Sequence, residues 1–152
     1  MNKGGIVPNF ILKDQNGKDF ELYKNLSKPI LLVFYPKDNT PVCSSQLSNY
    51  NANLDDFIKQ GIKVIGISTD SVQSHLAFCG KLELNFPLLS DKEKKVSKQY
   101  DAINFLGMNK RILVLIGTNK RLLWKGSTPS FTYMKPEKIL HKINGINLKE
   151  MT

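Results

Sequence analysis

The sequence predicts an α/β sandwich, with a mixed central sheet flanked by helices and opened by an N-terminal β-hairpin. Three observations lead there. Two continuous apolar runs, PILLVFYP (29–36) and IKVIGIS (62–68), are separated by a helix-length polar stretch, as in a βαβ unit whose strands are covered on both faces. Short strand-like segments enclose compact turn sequences near both ends of the chain. Prolines at 41 and 136 stand where helices would begin.

Taken in order, FILKD and KDFEL flank Gln15-Asn16-Gly17, and an Asn-Gly pair between short strands signals a hairpin. PILLVFYP then supplies a central strand. Beyond it, Thr40 is placed to cap a helix with Pro41 in its first turn, running to about Lys59 and ending at Gly61. After IKVIGIS, either Asp70 or Ser71 can cap a helix reaching about Lys81. PLLSD leads to a short polar helix from about Lys92 to Tyr100. RILVLIG and RLLWKGS then enclose Thr118-Asn119-Lys120 as a second hairpin, and Pro136 opens the last helix. Helices between parallel strands plus a late hairpin give a mixed sheet.

Length and composition narrow the function. At 152 residues with 41% hydrophobic content, one domain spanning 1–152 is expected. The opening MNKGGIVPNF lacks the apolar centre of a signal peptide, and no run approaches the roughly 18 residues of a membrane span. A cytoplasmic protein without membrane contact is therefore expected. The formal charge is +9, but among 22 basic residues only Arg111 and Arg121 are arginine, and the lysines are scattered. That pattern describes a solvated surface better than a nucleic-acid interface, so no nucleic-acid partner is expected. It also singles out each arginine, because lysine cannot replace its planar fork at an anion.

Only two cysteines occur, Cys43 and Cys79, too few for a disulfide framework. Cys43 falls in the first turn of the helix opened by Pro41. Unpaired backbone N–H groups and the positive end of the helix dipole favour a thiolate there. Position alone also suits a buried, inert cysteine. His75 and Cys79, four residues apart on one helix face, could be imagined as metal ligands. Zinc would need two further ligands, and the remaining Cys and His side chains are Cys43 and His141. Neither a metal nor a cofactor is expected, with His75 read as a packing or capping residue and His141 as exposed.

PKDNTPVC (36–43) resembles the Pro-x-x-x-Thr-x-x-Cys signature of the peroxiredoxins. FYPKDNTPVCSSQ (34–46), HLAFCGKLELNFPLLSD (75–91) and the strand opened by Arg111 resemble the bacterioferritin-comigratory, or PrxQ, branch, in order and over nearly the whole chain. The resemblance implies a thioredoxin-like fold, thiol-dependent reduction of hydroperoxides, thioredoxin or a similar dithiol as reductant, and a monomer. It implies Cys43 as peroxidatic nucleophile, Pro36 shielding its loop, Thr40 offering a hydroxyl to the peroxide, and Arg111 stabilising both thiolate and leaving oxygen. The position five beyond Cys43, where many PrxQ proteins carry a resolving cysteine, is Ser48. Similarity at HLAFCGK instead implies Cys79 as the resolver, 36 residues on. A disulfide between two helices would call for local unfolding. A one-cysteine peroxidase with Cys79 in its core remains open, as does a non-catalytic binding or chaperone module. A thioredoxin-type reductase lacks its motif here, since Thr40 and Gln46 occupy the positions three before and three after Cys43. Gln46 also stands where PrxQ commonly has glutamate, Val42 where it has glycine and Gly117 where it has aspartate.

Overall fold

The computed structural model describes residues 1–146. The chain opens with β1 (Ile11–Lys13) and β2 (Asp19–Glu21), paired antiparallel. Asp14 Oδ1 accepts from the N–H groups of Asn16 and Lys18, and Gly17 takes φ +78°, so the expected hairpin forms on an Asp side chain and a left-handed glycine. β3 (Ile30–Phe34), wholly buried, pairs parallel with β4 (Lys63–Ser68) and antiparallel with β6 (Arg111–Ile116). β5 (Leu88–Ser90) lies parallel to β4, and β7 (Leu122–Thr128) closes the other edge against β6. The seven strands run in the order β2-β1-β5-β4-β3-β6-β7. Both hairpins and the mixed sheet are as the sequence leads one to expect.

Residues alternate across each strand, so a fully apolar strand feeds two cores. Leu31, Val33 and Tyr35, with Leu113 and Leu115, face a layer holding Cys43, Leu47, Tyr50, Phe57, Phe78 and Cys79. These come from α1 (Pro41–Ala52), α2 (Leu54–Lys59) and α3 (Val72–Leu82), together with Ile139 and Ile143 of α5 (Pro136–Asn144). Ile30, Leu32 and Phe34, with Ile112 and Val114, face the opposite layer, where Val96 of α4 (Lys95–Gln99) and Tyr100 pack. Both cysteines therefore lie on one side of the sheet.

One helical expectation is corrected and one open choice is settled. The helix predicted to run from Pro41 to Lys59 is two helices broken at Asn53, whose ψ of +16° leaves the helical well. Asn53 Nδ2 donates to the backbone oxygen of Asn49 at 2.8 Å and to Asn49 Oδ1 at 3.0 Å, an alternative to helix bonding that asparagine side chains readily provide. The start of α3 is settled by Ser71, whose hydroxyl accepts from Ser74 N–H at 3.1 Å. Asp70 is engaged elsewhere, accepting from Asp38 N–H and Ser68 Oγ. Among the described residues no helix is long and apolar enough to cross a membrane.

Candidate active site around Cys43

Cys43 occupies the first turn of α1 with no exposed surface, and it forms no disulfide. Arg111, first residue of β6, reaches it from the sheet. Nη1 donates to Cys43 Sγ at 3.1 Å and to Gln46 Oε1 at 2.9 Å, while Nε donates to the Ser130 carbonyl at 2.9 Å. The antiparallel pairing that sets Arg111 opposite Thr128 brings the loop after β7, and hence Ser130, to the same end of the sheet. A guanidinium with 5% exposure held at three points is a fixed positive charge beside sulfur. Cys43 and Arg111, picked out separately in the sequence, are thus brought into contact.

Gln46 is also built in. Its Nε2 donates to the Tyr50 hydroxyl at 3.2 Å, and that hydroxyl donates to the Met134 carbonyl at 2.7 Å. Burial pushes the Tyr50 hydroxyl well above its ordinary range, so it stays protonated and donating. Only a neutral amide can accept from Arg111 and donate to Tyr50 at once; a carboxylate would set its second oxygen against the hydroxyl's lone pairs. We expect Gln46→Glu to slow iodoacetamide labelling of Cys43 at constant pH by about three- to tenfold, since a second anion would compete for the same guanidinium. Labelling at an unchanged or faster rate would exclude this coupling.

Thr40 and Pro36 stand differently. Thr40 is the N-cap residue of α1 by backbone geometry, but its side chain makes no capping bond. Its hydroxyl donates to the Lys37 carbonyl at 2.9 Å, so the expected cap is corrected to a bond that closes the preceding loop. Pro36, half-buried, begins that loop directly after Tyr35. Phe105 and Leu106, on the loop entering β6, are 96% and 68% exposed, with Met108 beside them, and Phe131 is exposed after β7. The described apolar surface near the Arg111 end of the sheet is thus considerable.

Cys79 lies on α3 with 8% exposure. Burial, assisted by the negative charges of Asp38 and Asp14, pushes its thiol up to about 11. One turn earlier, His75 is wholly buried, and its Nδ1 lies 2.7 Å from Asp38 Oδ2 and its Nε2 3.0 Å from the Leu89 carbonyl. The buried pair went unseen in the sequence, where 37 residues separate its members. The oxygens of Asp38 and Asp70 and a nitrogen of His75 lie within 4.8 Å of one another. They are knitted by mutual hydrogen bonds, with both His75 nitrogens engaged, so the His75–Cys79 spacing does not present a free imidazole nitrogen.

The AhpC/TSA family model matches residues 4–125. The chain is 46% identical over 100 residues to chloroplastic peroxiredoxin Q of Triticum aestivum, covering 66% of this chain and 46% of that protein. It spans about half the length of the curated relatives it matches. Peroxidoxin BcpB of Mycobacterium tuberculosis superposes with TM-score 0.87 at 30% identity, over 97% of this chain and 99% of that one. A cysteine-to-serine mutant of PrxQ from Xylella fastidiosa gives TM-score 0.84 at 30% identity, over 95% and 96%. These likenesses extend along the sheet and helices described above and establish the thioredoxin-like peroxiredoxin architecture. With its cysteine at the start of α1 and its arginine at the start of β6, the chain belongs to the AhpC/TSA family, in the peroxiredoxin Q branch.

Proposed function

We propose that this protein is a thiol peroxidase that reduces hydrogen peroxide and organic hydroperoxides at Cys43, and that Cys79 resolves the oxidised cysteine. The contact of Arg111 Nη1 with Cys43 Sγ carries the reading. A thiolate attacks the nearer peroxide oxygen, the O–O bond breaks, and negative charge moves onto the departing hydroxide or alkoxide, which takes up a proton. A fixed guanidinium beside the sulfur, with the backbone N–H groups of the first turn of α1, favours that charge shift. Pro36 would keep bulk water from the loop, and Thr40 would turn its hydroxyl from Lys37 toward the peroxide. Exposed Phe105, Leu106, Met108 and Phe131 at the same end of the sheet suit hydroperoxides with an apolar body.

Condensation of Cys43 sulfenic acid with Cys79 would give an intramolecular disulfide, returned to dithiol by thioredoxin or a comparable low-potential reductant. Intact-mass analysis of wild type, Cys43→Ser and Cys79→Ser after stoichiometric peroxide tests the cycle. Wild type should lose two hydrogens, Cys79→Ser should gain one oxygen, and Cys43→Ser should remain unreacted. Added oxygen in both wild type and Cys79→Ser would instead identify a one-cysteine enzyme. Oxidation of Cys43→Ser at the wild-type rate would overturn Cys43 as the reacting group.

A further inference from the structure

We propose that the buried Asp38–His75 pair is a positioning latch, holding the Cys43 loop against the Cys79 helix and setting the rate at which Cys79 condenses with oxidised Cys43. The proposal rests on Cys79 being the resolver. Asp38 lies in the loop between β3 and α1, five residues before Cys43, and is 3% exposed. Its carboxylate takes three donors: Tyr35 hydroxyl on Oδ1 at 2.6 Å, and Ser74 hydroxyl and His75 Nδ1 on Oδ2 at 2.8 and 2.7 Å. Its backbone N–H donates to Asp70 Oδ2 at 2.8 Å. Main chain and side chain of one loop residue are thus fastened to the segment that begins α3. The adjoining Asn39 turns the loop through φ +62°, a left-handed conformation that asparagine adopts more readily than most residues.

His75 makes the fastening strong. Nε2 faces the Leu89 carbonyl, which can only accept, and Nδ1 faces a carboxylate oxygen that already accepts from Ser74. An imidazolium beside a carboxylate satisfies both nitrogens at once, giving a charge-assisted bond with neither group exposed to water. Four residues along the same helix face stands Cys79. With Arg111 gripping Cys43 from the sheet, the nucleophile's turn is fixed on one side by β6 and on the other, through Asp38, by α3.

Resolution must undo part of this. Cys43 has no exposed surface, and its sulfur must come within bonding distance of a thiol on a separate helix. Moving residues 36–43 draws Asp38 from His75 and Ser74. Burial is the main cause that raises the Cys79 thiol, and the same movement withdraws a lesser one, the negative charge of Asp38. Cys79 sulfur then attacks Cys43 sulfur, the S–O bond breaks, and the leaving hydroxide takes the Cys79 proton as water. Peroxide has already supplied the oxidising equivalents. While the latch is closed Cys79 is a buried thiol, and when it opens Cys79 becomes a nucleophile.

Rapid-quench mass analysis of wild type, Asp38→Asn and His75→Asn separates the two steps, since oxygen addition reports the first and loss of water the second. Both variants should accelerate the second step by about ten- to a hundredfold, the range corresponding to one lost hydrogen bond to a charged group, and change the first by less than about threefold. The fraction of sulfinic acid at excess peroxide should fall in parallel. A second step that is unchanged or slower in both variants overturns the latch. Absence of any disulfide in wild type overturns Cys79 as resolver and the latch with it. Wild type alone gives a further check that needs no variant: slow amide exchange at Asp38 and the His75 ring signals of the reduced protein should be lost in the disulfide form, and their retention would refute the proposal.

Discussion

Arg111→Met is expected to slow the reaction of Cys43 with hydrogen peroxide by about a hundred- to a thousandfold, the range found when one fixed donor is removed from a developing anion. The size of the effect follows from how the guanidinium is held. Its Nε is fixed on Ser130, and the same Nη1 meets both Cys43 Sγ and Gln46 Oε1, so the charge reaches the sulfur already oriented. No reorganisation is needed as the sulfur gives up electrons and charge appears on oxygen. Methionine keeps much of the volume but removes every donor, leaving the Ser130 carbonyl and Gln46 Oε1 to find other partners. Arg111→Lys is a more searching comparison. An ammonium retains the charge, yet lysine cannot hold three acceptors in a plane from one flexible stem, so only part of the rate should return. Stopped-flow measurement of the bimolecular rate constant decides the matter. A methionine variant within about threefold of wild type would remove Arg111 from the reaction.

The pattern of the sequence exposes the centre of this fold better than its edges. β3, β4 and β6 are visible because a strand covered on both faces is apolar over most of its length, and their apolar side chains divide between the two core layers, with Lys63, Gly66, Ser68 and Arg111 in neither. The joining of β1 to β5 rests on the single pair Lys13–Ser90, a meeting decided by tertiary packing with no local signal. The helix break at Asn53 was written in Asn49, Asn51 and Asn53, but such residues also occur within helices, and the break depends on where the side chains bond. Asp70 and Ser71 are equally good caps in isolation. Ser71 takes the role because Asp38 and Ser68 claim the Asp70 carboxylate. At the site, helix-start chemistry made Cys43 a candidate and the scarcity of arginine singled out Arg111 and Arg121 alike, and it was the resemblance of PKDNTPVC and of the strand opened by Arg111 to the peroxiredoxins that assigned Cys43 and Arg111 their roles. Their contact, and the part played by Tyr50 and Met134 in orienting Gln46, emerged only when strand pairing brought distant segments together.

The second large effect concerns stability. His75→Ala should lower the free energy of unfolding by about 3–5 kcal/mol, because it strands a buried carboxylate whose charged partner has gone. Asp38 would keep Tyr35 and Ser74 as donors, but these neutral groups cannot replace the imidazolium. A cavity the size of the ring adds to the loss, as His75 is wholly buried and packs near Tyr35 at 6.4 Å between ring centres. For a chain of this length the melting temperature should drop by about 10 °C. The control is Asp38→Asn combined with His75→Ala: removing the charge as well as its partner should recover part of the stability that the single alanine change loses, since an amide is far less costly to bury than a lone carboxylate. Denaturant unfolding of wild type, both single variants and the double variant gives the coupling directly. A double variant whose loss of stability equals the sum of the two single losses would show that Asp38 and His75 act as separate packing residues and not as a pair.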